Sequence, residues 1–547
     1  MALNRLPAAR VAAALLGVLV ALPAVAQDPP PAAVDPGQTL EQRERERRFY
    51  TPPEEDETDD PGLDDPWPYD DWQLPEKSKQ SFELRGVRFD ESAFIDAERL
   101  RAIAEPYVGE TVTFSDINDM VASINVIYRE GGHVTARAIV PPQKIDDGIL
   151  RIRLVEGRVG AIDLQGRQYT DEAFLDEAIG VGAGEVIDVP TLRERMRTFN
   201  RMTPLALGAQ LRAGENFGES DVVVGVQEPP RYTGQIFVDT NGSESTGEEQ
   251  AGVYGVWNGP FRRADRFTAY VVGSEGASSV SLSYAAPVSA TGGMLTASVA
   301  VADTEIIDGG FADLDITGDS TQASLEYLAP GWTFADTSID WLARIGGVES
   351  STDASGRPIA DTSIERIALG LQGRGSGWGG RWFLQQELIG ARSENLLGEE
   401  QDYIRWPGRG SWSGPGVLGA NARFSGTWQY SSDERIASPS QFQIGGVGTV
   451  RGYQNGIQSA ARGIAVSGEL HWQPDWIADS FVFADIGHVN GISPDSETIS
   501  SLGGGLRWRR GAWQADATLA AALDTVVPDQ DDYRFHLRLA YAFGAGD

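Results

Sequence analysis

The chemistry this sequence offers is concentrated in one glycine-rich stretch, Gly445-Gly446-Val447-Gly448-Thr449-Val450-Arg451-Gly452-Tyr453-Gln454-Asn455-Gly456. Its glycines are too dense for a strand interior and no capping pattern marks a helix, so it is a loop. Arg451 is its one charge. A guanidinium can grip a carboxylate through two parallel hydrogen bonds. Gly452 lets the backbone turn closely, and Tyr453 offers a ring that can stack. The plainer reading of the same residues is a surface loop with a solvated arginine. Little else competes with this stretch. His133, His471, His488 and His536 are scattered without metal-ligand spacing. There is no cysteine, hence no disulfide framework, zinc-thiolate site or lipidated thiol. Gly503-Gly504-Gly505 lacks the Lys-Ser/Thr of a phosphate loop, and Asp529-Gln530-Asp531-Asp532 lacks an ordered calcium-ligand pattern. No catalytic residues, metal site or cofactor site are legible. The expected chemistry is anchoring and binding, not turnover.

Composition narrows where such a loop can sit. The chain has 547 residues and a formal charge of −34, an acidity that argues against nucleic acid as a partner. Residues 1–26 read as a secretory signal: Arg5 and Arg10, an apolar run from Val11 to Leu22, then Ala24-Val25-Ala26 before Gln27. Losing the two leader arginines takes the charge from −34 to −36. After residue 26 no stretch reaches the ~18 apolar residues of a membrane helix. Any span must then be a closed barrel, because lipid tolerates only helices and closed barrels. The 64 glycines, 14 Trp and 15 Tyr suit one.

Within residues 27–50, Thr39–Phe49 carries the i,i+4 pairs Glu41/Arg45 and Glu44/Arg48, which support a helix. It has almost no apolar face to bury in a soluble core, so it belongs in a water-filled channel or in solvent. Residues 51–80, rich in Pro, Asp and Glu, read as a flexible linker. Two α/β modules follow, 81–157 and 158–229, each in the order β-α-α-β-β. In the first, Ser115 is the expected cap of a helix whose Ile117, Met120, Val121, Ile124 and Tyr128 fall at helical spacing.

From residue 230 to 547 the sequence alternates. Phe535, Leu537, Leu539, Tyr541 and Phe543 point one way; Arg534, His536, Arg538, Ala540 and Ala542 point the other. This is the apolar-out, polar-in period of a membrane strand. The parse gives about 16 strands, the tenth (near Tyr403–Ser411) weakest. Long polar connections, such as Thr304–Asp319 and Glu349–Thr362, alternate with tight ones, such as Gly375–Gly379. The Arg451 loop joins strands 11 and 12 on the outer side. A soluble β-sandwich or propeller is the structural rival.

Several motifs carry a family resemblance. Val450-Arg451-Gly452-Tyr453 resembles the loop signature of outer-membrane translocases with POTRA domains. Tyr128-Arg129-Glu130-Gly131-Gly132-His133-Val134-Thr135 and Pro141-Pro142-Gln143…Gly148…Val155-Glu156-Gly157 resemble the POTRA pair of two-partner secretion (TpsB) transporters. Asp239-Thr240-Asn241-Gly242 with Thr246-Gly247 resembles their first barrel strand and loop. The resemblance implies a transmembrane antiparallel β-barrel of the bacterial outer membrane, preceded by two periplasmic POTRA domains and a helix that plugs the resting pore. It implies export of a partner exoprotein, captured unfolded through an N-terminal secretion domain, and insertion of the barrel by the barrel-assembly machinery. The alternative within the wider superfamily is an insertase.

The resemblance also places the Arg451 loop in the lumen, facing a Phe-x-Asp-x-Gly motif that matches Phe483-Ala484-Asp485-Ile486-Gly487. Here alternation objects. Asp485 is in phase with Phe481, Phe483 and Val489, which would turn it towards lipid. It reaches Arg451 only if the strand shifts phase through a bulge or if Phe481 and Phe483 are themselves lumenal. A last strand ending at Tyr541 and Phe543 resembles the assembly signal of such barrels, although Gly544-Ala545-Gly546-Asp547 trail beyond it.

Overall fold

The computed structural model describes residues 35–50 and 81–544, apart from Asp146, Thr291, Ala335, residues 474–477 and Asp529. The expected leader and linker lie outside the described residues.

Helix α1 (Pro36–Tyr50) comes first. Asp35 caps it, its Oδ1 accepting the Gly37 N–H at 2.8 Å, with Pro36 at the first helical position, where its missing N–H costs nothing. The side chains of residues 44–50 lie outside the described ones.

The first module holds β1 (Ser81–Glu83), β2 (Gly86–Phe89), α2 (Ala97–Ala104), β3 (Thr111–Thr113), α3 (Phe114–Glu130), β4 (Ala136–Ile139) and β5 (Ile149–Glu156). Its main sheet has the order β2-β5-β4, and Ile117, Met120, Ile124 and Tyr128 bury one face of α3 on it. The cap of α3 is Thr113 rather than Ser115. Thr113 and Asp116 form a reciprocal capping box, which holds the Asp116 carboxyl below the usual range by donating Thr113 N–H and O–H to it. Thr113 ends the short strand β3, so its extended backbone is already set for a cap.

The second module repeats the pattern with β6 (Arg158–Gln165), α4 (Glu172–Ile179), α5 (Val189–Met202), β7 (Ala206–Ala213) and β8 (Glu219–Gln227), sheet order β6-β8-β7. It sits firmly on the barrel. Ala264 and Ala290, from barrel turns, complete its core, and buried Arg201 pairs with Asp340 at 3.3 Å.

Sixteen antiparallel strands then close a barrel: β9 (Tyr232–Asp239), β10 (Gln250–Asn258), β11 (Arg266–Gly273), β12 (Ala277–Ser289), β13 (Gly292–Glu305), β14 (Ile316–Phe334), β15 (Thr337–Ala354), β16 (Arg357–Gly377), β17 (Gly380–Asn395), β18 (Glu400–Pro415), β19 (Asn421–Ser431), β22 (Arg462–Trp472), β23 (Asp479–Asn490), β24 (Ser496–Arg510), β25 (Trp513–Ala522) and β26 (Tyr533–Phe543). A short hairpin, β20 (Phe442–Ile444) with β21 (Gln458–Ala460), lies between β19 and β22. Alternation holds around the wall: on β26, Phe535, Leu537, Leu539 and Tyr541 are exposed, whereas His536, Arg538 and Ala540 are buried. Exposed aromatics such as Tyr232, Trp257, Trp332, Trp513 and Tyr541 mark the edge nearest the modules, as an interfacial girdle does.

Two expectations about the barrel need adjusting. Glu349–Thr362 is not a long loop: β15 and β16 run through it to a tight turn at Ser355 and Gly356, both at positive φ. Thr304–Asp319 keeps a connection at residues 306–315, and only its two ends belong to β13 and β14. The polar residues of 349–362 form strand ends that stand beyond the apolar band. The weak tenth strand is real. Its outward positions include Gly408, over which the Trp428 ring of β19 lies, so its neighbour supplies the apolar cover.

Candidate lumenal site

The chain after β19 turns back into the barrel instead of spreading over its rim. Phe442, Ile444, Val450 and Tyr453 pack with Ala465, Val489 and Ile499 of the inner wall. Gly445 and Gly446 adopt φ +107° and +85°, a region side chains avoid. Gly452 serves by its lack of a side chain: a Cβ there would come 2.8 Å from Ser501 Cβ and 2.9 Å from the Ala522 nitrogen. Gly487 does the same from the wall, since a Cβ there would meet Val450 and Ile444 at 2.9 and 3.0 Å. Two glycines, one on each side, let loop and wall touch.

Arg451 lies at the centre, 4% exposed, facing Asp485 at 3%. Its Nε donates to Asp485 Oδ2 at 2.8 Å and Nη2 to Oδ1 at 2.7 Å, a bidentate charged pair. The Arg451 backbone N–H donates to Asp485 Oδ2 at 3.1 Å. Nη1 donates to Glu469 Oε1 at 2.5 Å and Nη2 to Ser467 Oγ at 2.8 Å, both on β22. The guanidinium carbon stands 3.5 Å from the Phe483 ring centroid, within cation–π range. Tyr453 is 1% exposed. Its hydroxyl lies 3.0 Å from the Ser500 carbonyl and accepts the Asp524 N–H at 3.0 Å.

The objection from alternation resolves without a bulge. Residues 480–490 pair in unbroken register with both neighbours. Val482 and Ile486 are the lipid-facing residues, and Phe481, Phe483, Asp485 and Val489 are all buried on the inner face. The aromatics are lumenal because the lumen offers them cations: Arg451 over Phe483 and Arg507 over Phe481, the latter at 4.6 Å. Tyr541 and Phe543 sit far from this site, on the outer face of β26. There Tyr541 packs on Trp513 at 5.1 Å, and Phe543 covers Gly234 of β9.

Sequence reasoning missed Ser467 and Glu469. The signal was present, since both are in phase with inward His471 and out of phase with lipid-facing Ile464 and Val466. It also missed how α1 is seated. Gln38 donates to the Ser438 carbonyl and Oγ at 3.0 and 2.6 Å and accepts from Gln443 Nε2 at 2.6 Å. Glu41 pairs with Arg366 at 3.4 Å, Arg43 donates to Gln250, and Leu40 packs on Ala300 and Ala302. These partners come from several sides of the wall, so α1 runs inside the lumen. Among the described residues, no group of three His, Cys, Asp or Glu could hold a metal.

The comparisons with known proteins bear on the family and the fold. The family model "Haemolysin secretion/activation protein ShlB/FhaC/HecB" matches residues 218–329 and 368–508, and the model "POTRA domain, ShlB-type" matches residues 82–157. The chain is 32% identical over 152 residues to the heme/hemopexin transporter protein HuxB of Haemophilus influenzae, a match spanning 27% of each chain. It is 23% identical over 455 residues to the outer membrane transporter CdiB of Dickeya dadantii, covering 78% of this chain and 79% of that one. Among solved structures it resembles CdiB from Escherichia coli, with TM-score 0.67 at 19% identity over 93% of this chain and 97% of that one. CdiB from Acinetobacter baumannii matches with the same TM-score at 18% identity, over 94% and 99%. These two likenesses show the fold.

Proposed function

This chain belongs to the haemolysin secretion/activation family of outer-membrane transporters, and from that premise we propose that it exports a partner polypeptide by two-partner secretion. The observation that carries this reading is the filling of the barrel. Two segments of the chain itself, α1 and the Arg451 loop, occupy the lumen of a barrel whose turns carry the second α/β module. That is the construction of a gated conduit.

Residues 81–157 and 158–229 act as two periplasmic POTRA units, and residues 230–547 form the pore. The units take up an unfolded exoprotein through its N-terminal secretion domain. Their sheets leave β2 and β4, or β6 and β7, as edges, and an edge can take an extended segment as an added strand. Helix α1 obstructs the resting pore and is displaced by cargo. Arg451, with Asp485, holds the loop against the wall while the chain passes. Folding of the cargo outside draws it forward without nucleotide. Tyr541 and Phe543 present the finished last strand to the barrel-assembly machinery, and the outward apolar band meets outer-membrane lipid.

The test is co-expression of the full-length transporter with a large secreted protein that carries an N-terminal secretion domain. Transporter-dependent appearance of that protein outside the cell is expected. Cargo that stays in the periplasm, together with loss of other outer-membrane proteins on depletion of the transporter, would overturn the export reading in favour of an insertase.

A further inference from the structure

The side chain of Arg451 is held by β22 and β23, but its backbone is held by another part of the barrel. His536 of β26, 9% exposed, places Nε2 2.9 Å from the Arg451 carbonyl oxygen and Nδ1 3.1 Å from Asn241 Oδ1, a position the Asn241 NH2 fills when the amide is turned over. A carbonyl only accepts, so Nε2 carries the proton. Asn241 lies two residues beyond the end of β9. The loop tip reaches the same place: Asn455 Nδ2 donates to the Asn241 carbonyl at 2.6 Å, and the Gln454 amide donates to Glu244. From β26, Arg534 reaches Glu244 and Glu248, at 2.8 Å each.

β9 and β26 are the first and last strands, and their junction is the thinnest in the wall. Six residue pairs align there, from Arg538↔Asp239 to Phe543↔Gly234. The other ladders have eight to eighteen. Outward of Asp239, residues 533–537 of β26 meet Thr240, whose N–H donates to the Leu537 carbonyl at 3.0 Å and whose Oγ1 accepts the Leu537 N–H at 3.1 Å. The loop tip lies against the lumenal side of the junction where the strand ladder stops.

We propose that His536 is a positioning residue that ties the Arg451 loop to both edges of the β9–β26 junction, so that loop placement and barrel closure form one coupled state. The loop then has a second task besides occupying the lumen: it straps the thinnest seam of the wall from inside. A loop that leaves its seat releases the seam, and a seam that frays releases the backbone of Arg451. The inference rests on the loop's position in the barrel and not on the export reading.

Amide hydrogen exchange on the full-length protein in lipid nanodiscs tests it without cargo. In His536→Leu the amides of residues 234–239 and 538–543 are expected to exchange at least tenfold faster than in the wild type, while those of β15 and β16 keep their rates. His536→Gln, whose amide can still donate to the Arg451 carbonyl, is expected to restore most of the protection. Wild-type exchange at the seam in His536→Leu, or acceleration confined to residues 445–456, would overturn the proposal, because His536 would then serve the loop alone. Should His536→Leu fail to assemble, Asn455→Ala removes the other grip. It is expected to speed seam exchange about threefold, and unchanged seam exchange in that variant would overturn the proposal equally.

Discussion

Two segments fill this barrel, and they are held in opposite ways. The Arg451 loop is bound through one dense, buried knot: a bidentate pair, a second carboxylate, a cation–π contact and an apolar cluster around Val450 and Tyr453. Helix α1 is held by dispersed polar contacts to β10, β15, β16 and the 438–443 segment, with Leu40 its apolar contact on Ala300 and Ala302. A buried ion pair strands a charge when one partner leaves, at roughly 3–5 kcal/mol. The contacts of α1 include one ion pair, Glu41–Arg366, and one charged hydrogen bond, Arg43–Gln250, worth about 1.5–3 kcal/mol each, against about 1 for its neutral ones. They are spread over several strands, so they can be exchanged for water one at a time, whereas the Arg451 knot must break as a unit. For a conduit the dispersed hold suits a stopper and the concentrated one suits part of the wall.

The largest expected effect comes from breaking the knot. Arg451→Ala should leave a folded, heat-modifiable barrel and cut export by roughly a hundredfold, the scale of losing about 3 kcal/mol of anchoring. Normal export would remove Arg451 from the mechanism. Deleting residues 36–43 should do the reverse to the pore, raising conductance in planar bilayers several-fold. Conductance at the wild-type level would mean that α1 does not obstruct.

The charge swap Arg451→Asp with Asp485→Arg reverses the polarity of the knot. It sets the new carboxylate against Glu469, so recovery of export should be slight. Adding Glu469→Gln should improve it several-fold, and equal recovery with and without that change would show that Glu469 is not part of the knot. The smallest effect is expected from Gln38→Ala, which removes three hydrogen bonds between α1 and the base of the loop. Brief channel openings should become about tenfold more frequent, with the loop undisturbed. Unchanged opening frequency would place the hold on α1 elsewhere.

Much of this architecture could be read from the chain. The period of two gave the barrel and its sixteen strands, because lipid outside and water inside impose opposite demands on successive residues. The loop's place between the eleventh and twelfth strands was legible for the same reason. The period failed at Phe481 and Phe483, where it equates apolar with outward. The rule assumes a watery lumen, but this part of the lumen is packed with a loop whose arginine stacks on Phe483. A lumen that contains protein obeys the rules of a core. Contacts set by distant strands, such as Glu469 with Arg451 or His536 with the Arg451 carbonyl, left no local trace beyond an inward phase. Thr113 took the cap of α3 from Ser115 because the preceding short strand fixed its backbone.

On this proposal cargo passes only once α1 has left the lumen. The chain has no cysteine of its own, so a disulfide can be introduced cleanly between Leu40→Cys and Ala302→Cys, which replace residues packed together in the barrel. Export of the cargo should stop when this bond is formed and resume when it is reduced. Export that continues with α1 covalently joined to the wall would contradict the account.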